Sequence, residues 1–389
     1  MLKIGKLKIG LFMDSFFPAV DGVVMVIDNL AKCMSKFADV TVVVPYNESV
    51  DEDASRPYKV IRVKSMHVPT TEYRVALPVT KSSKIFKTLV NEKFDIIHIH
   101  SPFTIGKLGI KVARTLHIPV IATMHTRFDF EFRKYMKLEL LVKMSIKSII
   151  KVFNQCDKCI SVNRAIGKVF QEYGYRGEPL AMYNGTDMKI VENGQAANDR
   201  VNELYHFNAD ETVFLFVGRI TEIKNIFFIL EVLKILKEKG KNFKMLYVGT
   251  GPDEEKLKKK VEEDGLKEEV SVCGKITDRE LLKAIYHRAT LFLFPSLFDA
   301  SSLVQIEAAS QKTPTIFIEG AVTADTVTNN ENGFTAPNDV HQFASRVIEI
   351  LENKELYNSV SENAHQQLSK SWDTIGKETV ELYQEEIEK

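Results

Sequence analysis

FPSLFDASSLVQIEAAS, residues 294–310, sets two carboxylates, Asp299 and Glu307, eight residues apart in otherwise apolar surroundings. The apolar run before it reads as a buried strand and the segment after it as a helix, so one acid follows the strand and the other opens the helix. Carboxylates accept hydrogen bonds from vicinal hydroxyls, which a ribose or a hexose offers in pairs. The pair therefore reads as a grip for a polyol.

Upstream, Phe214 to Val217 reads as another strand, ending in Gly218-Arg219 and followed by Thr221, Glu222 and Lys224 at the start of a helix. A diphosphate placed there meets backbone N–H groups, the positive end of a helix dipole and two cations. Arginine presents a fork and lysine a point charge, so the two can hold different oxygens. Gly249-Thr250-Gly251-Pro252 closes the next strand. A cation pair alone is equally well a solvated loop. Beside the glycines and the two acids it points to a nucleotide sugar.

Working outward, short apolar strands alternate with helices along the whole chain. Lys8–Phe12, Val40–Val44, Ile96–His100 and Val120–Thr123 read as strands in the first half, with a helix over Val23–Lys36. Val213–Val217, Lys244–Val248, Val270–Val272, Leu291–Phe294 and Thr315–Ile318 repeat the pattern in the second. Continuous apolar strands separated by helices imply parallel sheets covered on both faces. The fold class is therefore α/β, with two consecutive doubly wound domains. Ligands of such sheets bind beyond the carboxyl ends of the strands, and the cleft between two such domains is the expected site. The polar, Gly/Asn-rich stretch Asn184–Asn208 is the expected boundary. Trp372–Lys389 reads as an amphipathic helix.

Bulk properties exclude several classes. With 389 residues, 44% apolar and 27% charged, the chain can bury two ordinary globular cores. Four cysteines suggest no disulfide framework and suit a reducing cytoplasm. No apolar run reaches the length of a membrane-spanning helix, and the N-terminus enters a strand pattern without a leader-like cleavage site. The net charge is zero but unevenly spread: +11 over residues 1–185 and −11 over residues 186–389. A basic first half facing an anionic surface is one explanation, and functionless drift of surface charge is the other.

The motifs together resemble the retaining glycosyltransferases of family 4, two-domain enzymes of the GT-B fold that use nucleotide-diphosphate sugars. Gly218-Arg219 with Lys224, the glycines after the next strand, and the spaced acids after Phe294-Pro295-Ser296 carry the likeness. Phe17-Pro18-Ala19-Val20-Asp21-Gly22-Val23 resembles the family's loop beside the donor phosphate, and Tyr183-Asn184-Gly185-Thr186-Asp187 its hinge. The resemblance implies an acceptor-binding Rossmann-like domain over 1–185, with helix 372–389 packing back on it, and a donor-binding one over 186–371. It implies that Arg219 and Lys224 hold the diphosphate and stabilise it as it leaves. Glu307 then accepts from the ribose, Asp299 sits by the donor sugar, and His125 lies near acceptor and donor. Gly22, Gly218, Gly251, Ser302 and Leu303 complete the donor contacts. The implied donor is a UDP-sugar, transferred by front-face attack with no protein nucleophile, no metal and no other cofactor. Nucleic acid is not an expected partner.

Two departures bear on the sugar. The family commonly has Glu-Gly-Phe-Gly where this chain has Asp299-Ala300-Ser301-Ser302, and Gly-Gly where it has Asp21-Gly22. On the acceptor side, His98, His100 and His125 end neighbouring strands. After Arg127 comes an aromatic segment and then a helix with Lys143, Lys147 and Lys151 on one face, which suits anionic lipid or, equally, a solvated stripe. These segments resemble the subset acting on diacylglycerol and other membrane lipids, which implies work at the cytoplasmic face of the cell membrane. A soluble glycan or protein acceptor, a nucleotide-sugar epimerase and a catalytically silent partner subunit stay open as alternatives. Two short patterns are read as decoys. Asp51-Glu52-Asp53 fits a metal–nucleotide motif of another fold but stands in a polar loop. Cys156-Asp157-Lys158-Cys159 has no second cysteine pair at zinc spacing.

Overall fold

A computed structural model of the chain describes residues 6–47, 51–68 and 74–389. The chain separates into two compact units, the first running to Asn184 and taking back Trp372–Lys389, the second Gly185–Ser371.

The first unit contains, in order, β1 (Lys8–Phe12), α1 (Gly22–Met34), β2 (Asp39–Pro45), β3 (Lys59–Val63), β4 (Ser65–His67), β5 (Arg74–Ala76), α2 (Lys84–Asn91), β6 (Ile96–Ile99), α3 (Thr104–Leu116), β7 (Val120–Met124), α4 (Phe128–Tyr135), α5 (Glu139–Phe153), β8 (Lys158–Ser161), α6 (Arg164–Glu172) and β9 (Leu180–Ala181). Its main sheet has the order β3-β2-β1-β6-β7-β8-β9, with every neighbouring pair parallel. Strands β4 and β5 form a small antiparallel hairpin apart from it.

The second unit contains α7 (Gly194–Tyr205), β10 (Val213–Val217), α8 (Ile226–Glu238), β11 (Lys244–Val248), α9 (Glu254–Glu263), β12 (Val270–Val272), α10 (Arg279–Arg288), β13 (Leu291–Phe294), α11 (Leu303–Ser310), β14 (Thr315–Ile318), β15 (Phe334–Ala336), α12 (Val340–Glu352) and α13 (Lys354–Leu368). Its parallel sheet has the order β12-β11-β10-β13-β14-β15. Every residue of β10, β13 and β14 is buried. Their unbroken apolar runs, not an alternating pattern, are what a sheet covered on both faces requires.

The boundary between units is sharp, falling after Asn184, and the polar tract behind it is not a linker. Asn193 caps α7 by accepting from Ala196 N, Val201 is fully buried, and the helix packs on α10. A polar composition hides such a helix because one buried valine is enough to seat it on a neighbour.

The last helix, α14 (Trp372–Ile387), rejoins the first unit against α1, burying Trp372, Ile375, Leu382 and Tyr383. The approach is close at Gly376, where a Cβ would lie 3.0 Å from Cys33 Cβ. The helix and the two residues after it bring six acids and two lysines. The first unit is therefore less basic than its N-terminal sequence suggests, at +7 where residues 1–185 alone carry +11. Among the described residues no helix is long and apolar enough to cross a membrane.

Tyr383 reaches the end of the β6 core. Its hydroxyl lies 2.5 Å from His98 Nδ1, and His98 Nε2 lies 2.6 Å from the Thr123 hydroxyl. His100 packs on His98 with ring centroids 4.0 Å apart, and its Nδ1 is 3.0 Å from His125 Nε2. Burial brings His98 and His125 down to about 3 and His100 well below its ordinary value, so all three stay neutral in the folded protein. The unfolded chain takes up these protons below about pH 6.5, so stability contributed by the neutral imidazoles is present above that pH and is lost as pH falls toward 3. Lowering the pH from 7 to 5 should cost roughly 2 kcal/mol for His98 or for His125. Chemical denaturation of wild type and His98→Gln across this range checks it: the variant should lose stability less steeply, and equal slopes would contradict the assignment.

Candidate functional site

In the second unit, parallel pairing of β10 with β11 and with β13 brings three loops to one edge of the sheet. These are 218–225, 249–253 and 295–302. The first two are stitched together: Gly218 N donates to Val248 O, Ile220 N to Thr250 O, and Asp253 N to Ile220 O. That approach requires glycine. At Gly249, with φ at +135°, a Cβ would lie 1.9 Å from Gly218 O; at Gly251 it would lie 2.1 Å from Ile220 O. Gly249 and Gly251 thus shape the loops whose sequence suggested a phosphate seat, with Gly218 supplying the carbonyl that Gly249 packs against.

Arg219 is exposed at the start of this edge. Lys224 does not open the helix but ends a short 3-10 turn, Glu222–Lys224, two residues before α8 begins; Asn225, in the left-handed region at φ +61°, leads into α8. The Lys224 ammonium is ion-paired with Asp299 Oδ1 and stands over the Phe294 ring, 5.5 Å from its centroid. Asp299 Oδ2 is buried without a partner. The acid expected beside a sugar and the cation expected on a phosphate are therefore in direct contact, across 75 residues of sequence.

Ser302 is the N-cap of α11, its hydroxyl accepting from Gln305 N, and Leu303 is the first helical residue. Glu307 follows in the second turn, not at the helix start. Its Oε2 accepts from the Tyr286 hydroxyl at 3.0 Å, and its Oε1 from Arg279 Nη1 at 3.2 Å. Arg279 also donates to Asp187 at 2.6 Å. Burial pushes the Glu307 carboxyl up, and the Arg279 charge and the two hydrogen bonds pull it back. Arg279 and Tyr286 were not visible as site residues. Nothing in their local sequence marks them, and they reach Glu307 only because α10 lies beside α11.

In the first unit Gly22 opens α1 behind its N-cap Asp21, whose carboxylate accepts from Val23 N and Val24 N at 2.9 Å each. A Cβ at Gly22 would meet nothing within 4 Å, so the chain's own packing does not demand glycine there. His125 follows β7, is buried, and is held by His100.

Asp53, of the Asp51-Glu52-Asp53 pattern, is not in a free loop. It sits in a 3-10 turn and receives Arg62 through two bonds, 2.8 and 2.9 Å. The side chains of Asp51 and Glu52 lie outside the described part. Cys156 and Cys159 are free thiols, each directed at a backbone carbonyl 3.6 Å away. Among the described residues no three His, Cys, Asp or Glu side chains gather as a metal-binding group.

Comparison with known proteins identifies the family and the fold. Residues 20–189 match the family described as Glycosyltransferase Family 4, and residues 199–367 match Glycosyl transferases group 1. The chain is 25% identical over 372 residues to the alpha-monoglucosyldiacylglycerol synthase of Acholeplasma laidlawii, covering 92% of each chain. It is 25% identical over 370 residues to the sulfoquinovosyl transferase SQD2 of Arabidopsis thaliana, covering 93% of this chain and 70% of the relative. HepE of Anabaena, solved in complex with UDP, superposes with a TM-score of 0.76 at 15% identity, over 97% of this chain and 100% of HepE. The two family matches together span most of the sequence: the chain belongs to the glycosyltransferases that join a family 4 domain to a group 1 domain, and it has their GT-B fold.

Proposed function

We propose that this glycosyltransferase moves a hexose from a UDP-sugar to the hydroxyl of a membrane lipid such as diacylglycerol, with retention of the anomeric configuration. The observation that carries the donor half is the Lys224–Asp299 pair between the loops that follow two adjacent strands, β10 and β13, with Glu307 held by Tyr286 and Arg279 on the helix after the second of them. The acceptor half is supported by the lipid product named for the Acholeplasma relative.

In this reading a ribose diol donates to Glu307, whose two oxygens are already oriented by Tyr286 and Arg279. A diphosphate draws the Lys224 ammonium from Asp299, and Arg219 provides the second cation. Asp299 is then free to accept from a sugar hydroxyl. The bond from the anomeric carbon to the phosphate oxygen breaks, and its electron pair goes to that oxygen. Lys224 and Arg219 stabilise the charge as it develops, in place of a metal ion. The acceptor oxygen bonds to the anomeric carbon on the face the phosphate leaves, and its proton passes to the departing phosphate. In the first unit His125, buried, neutral and held by His100, is the candidate on the acceptor side. Because Asp299 is shorter than glutamate and Ala300 and Ser302 replace glycines, the sugar pocket differs from the common family pattern.

Contact with the bilayer is assigned to α4 and α5, on the cytoplasmic side of the membrane. Val142, Ile146, Ile149, Ile150 and Phe153 of α5 face the core, which leaves Lys143, Lys147 and Lys151 exposed. Beside them Tyr135, Leu138, Leu140, Leu141 and Met144 are exposed as well. Apolar side chains flanked by cations suit the interface of an anionic bilayer, each cation contributing about 1 kcal/mol near the surface.

Two experiments test these halves. Lys224→Ala and Glu307→Ala should each abolish transfer from UDP-sugars to lipid acceptors while the circular dichroism spectrum is kept; wild-type turnover in either would refute the site. Sedimentation with phosphatidylglycerol vesicles should show binding at low salt and release at high salt, weakened in Leu140→Ser/Met144→Ser. Indifference to lipid would refute the membrane assignment.

A further inference from the structure

Strands β6 and β7 end in His98-Ile99-His100 and Thr123-Met124-His125, and they pair in parallel with His98 beside Ile121 and Ile99 beside Ala122. Successive side chains of a strand alternate faces, so His98 and His100 point one way, and Thr123 and His125 likewise. The contacts put all four on the same face: His98 Nε2 meets the Thr123 hydroxyl at 2.6 Å, and His100 Nδ1 meets His125 Nε2 at 3.0 Å. All four are buried. Helix α14 covers them from the far end of the chain. Tyr383 reaches His98, and Trp372, Ile375 and Thr379 border a cavity of only about 30 Å³ against the four side chains.

The restraints on the three rings are unequal. Both nitrogens of His98 have a hydroxyl partner. Burial pushes the Tyr383 hydroxyl up, so it keeps its proton, and a phenol is a stronger donor and a weaker acceptor than an alcohol. Tyr383 therefore donates to Nδ1, and His98 donates from Nε2 to Thr123. That gives His98 one tautomer and one ring plane. His100 has a single ring bond, to His125; its Nε2 is buried with no partner among the described residues. One bond leaves an imidazole able to turn about it. The face of His98, with ring centroids 4.0 Å apart, supplies the second restraint. His125 is held in turn by His100 and, along the strand, by Thr123 two residues before it.

We propose that Tyr383 is a positioning residue for His125. Through His98 it fixes the ring of His100, which holds the His125 ring, and the Thr123 side chain, which holds the strand leading to it. This rests on the place given to His125 on the acceptor side, and it makes the last helix part of that machinery. Apolar side chains would seat α14 on the sheet equally well, since buried imidazoles and hydroxyls gain little net stability by pairing with one another. What a connected polar chain adds is a defined orientation for each ring. The partners lie 285 residues apart, so this orientation exists only when the chain end has returned to the first sheet.

The test uses the full chain labelled with ¹⁵N-histidine, whose ring nitrogens report tautomer and hydrogen bonding in long-range proton–nitrogen spectra, together with turnover of a UDP-sugar with diacylglycerol. Single histidine-to-glutamine variants assign the resonances. In wild type His98, His100 and His125 should each show one neutral tautomer. Tyr383→Phe removes one hydroxyl and no ring. It should shift the nitrogens of all three histidines and lower kcat roughly threefold to tenfold, with UDP affinity unchanged. Thr123→Val should act in the same direction, and Thr123→Ser should keep both readouts at wild-type values. Leu382→Ala, buried on the same helix but outside the chain of bonds, should lower the melting temperature and leave the His125 resonances and kcat unchanged. Wild-type His125 resonances or wild-type kcat in Tyr383→Phe would overturn the inference, as would equal changes in Leu382→Ala. Absence of transfer in the wild type would refute the proposed function, while the resonances still decide whether Tyr383 orients His125.

Discussion

The parallel pairing of β10 with β11 on one side and β13 on the other is the constraint from which the candidate donor site follows. All three strands are almost wholly buried, so the sheet has no solvated face on which polar chemistry can stand. Polar residues are pushed to the strand ends, and parallel direction sends three such ends to the same edge. The contact between the first two loops is so close that Gly249 and Gly251 have no room for a side chain. In the first unit the same logic places Ser15, His100 and His125 at the ends of β1, β6 and β7.

Charge pairing is the second organising force. Lys224 lies against Asp299, and Arg279 links Glu307 to Asp187. These pairs are partly solvated, so each is weak and exchangeable, not a fixed strut. In the proposed function, exchangeable pairs suit a site that takes a doubly charged diphosphate and a neutral sugar together. On that proposal each carboxylate becomes available to hydroxyls once its cation moves to phosphate.

The strands were legible because burial on both faces demands continuous apolar runs, and Val213–Val217 or Leu291–Phe294 can hardly be read otherwise. Edge elements were not. β3 mixes lysine and arginine with valine, β15 has three residues, and α7 is polar but for a few positions. The candidate residues Arg219, Lys224, Asp299 and Glu307 could be picked out by spacing from the strand ends. Their partners could not: Arg279 and Tyr286 meet Glu307 from another helix, and the Lys224–Asp299 contact joins loops far apart in sequence. Asp53, set aside as a decoy, reads as part of a free polar loop for the same reason, since only the fold brings Arg62 to it. The His98–Tyr383 bond, which ties the last helix to the first sheet, spans 285 residues and leaves no trace in local pattern.

The central claim is that Lys224 exchanges Asp299 for the donor's phosphates while Glu307 holds the ribose. Calorimetric titration of wild type and Lys224→Met with UDP and, separately, with uridine tests it most directly. The account requires UDP affinity to fall roughly tenfold or more in the variant while uridine affinity is unchanged. Equal losses for both ligands, or no loss for UDP, would contradict it.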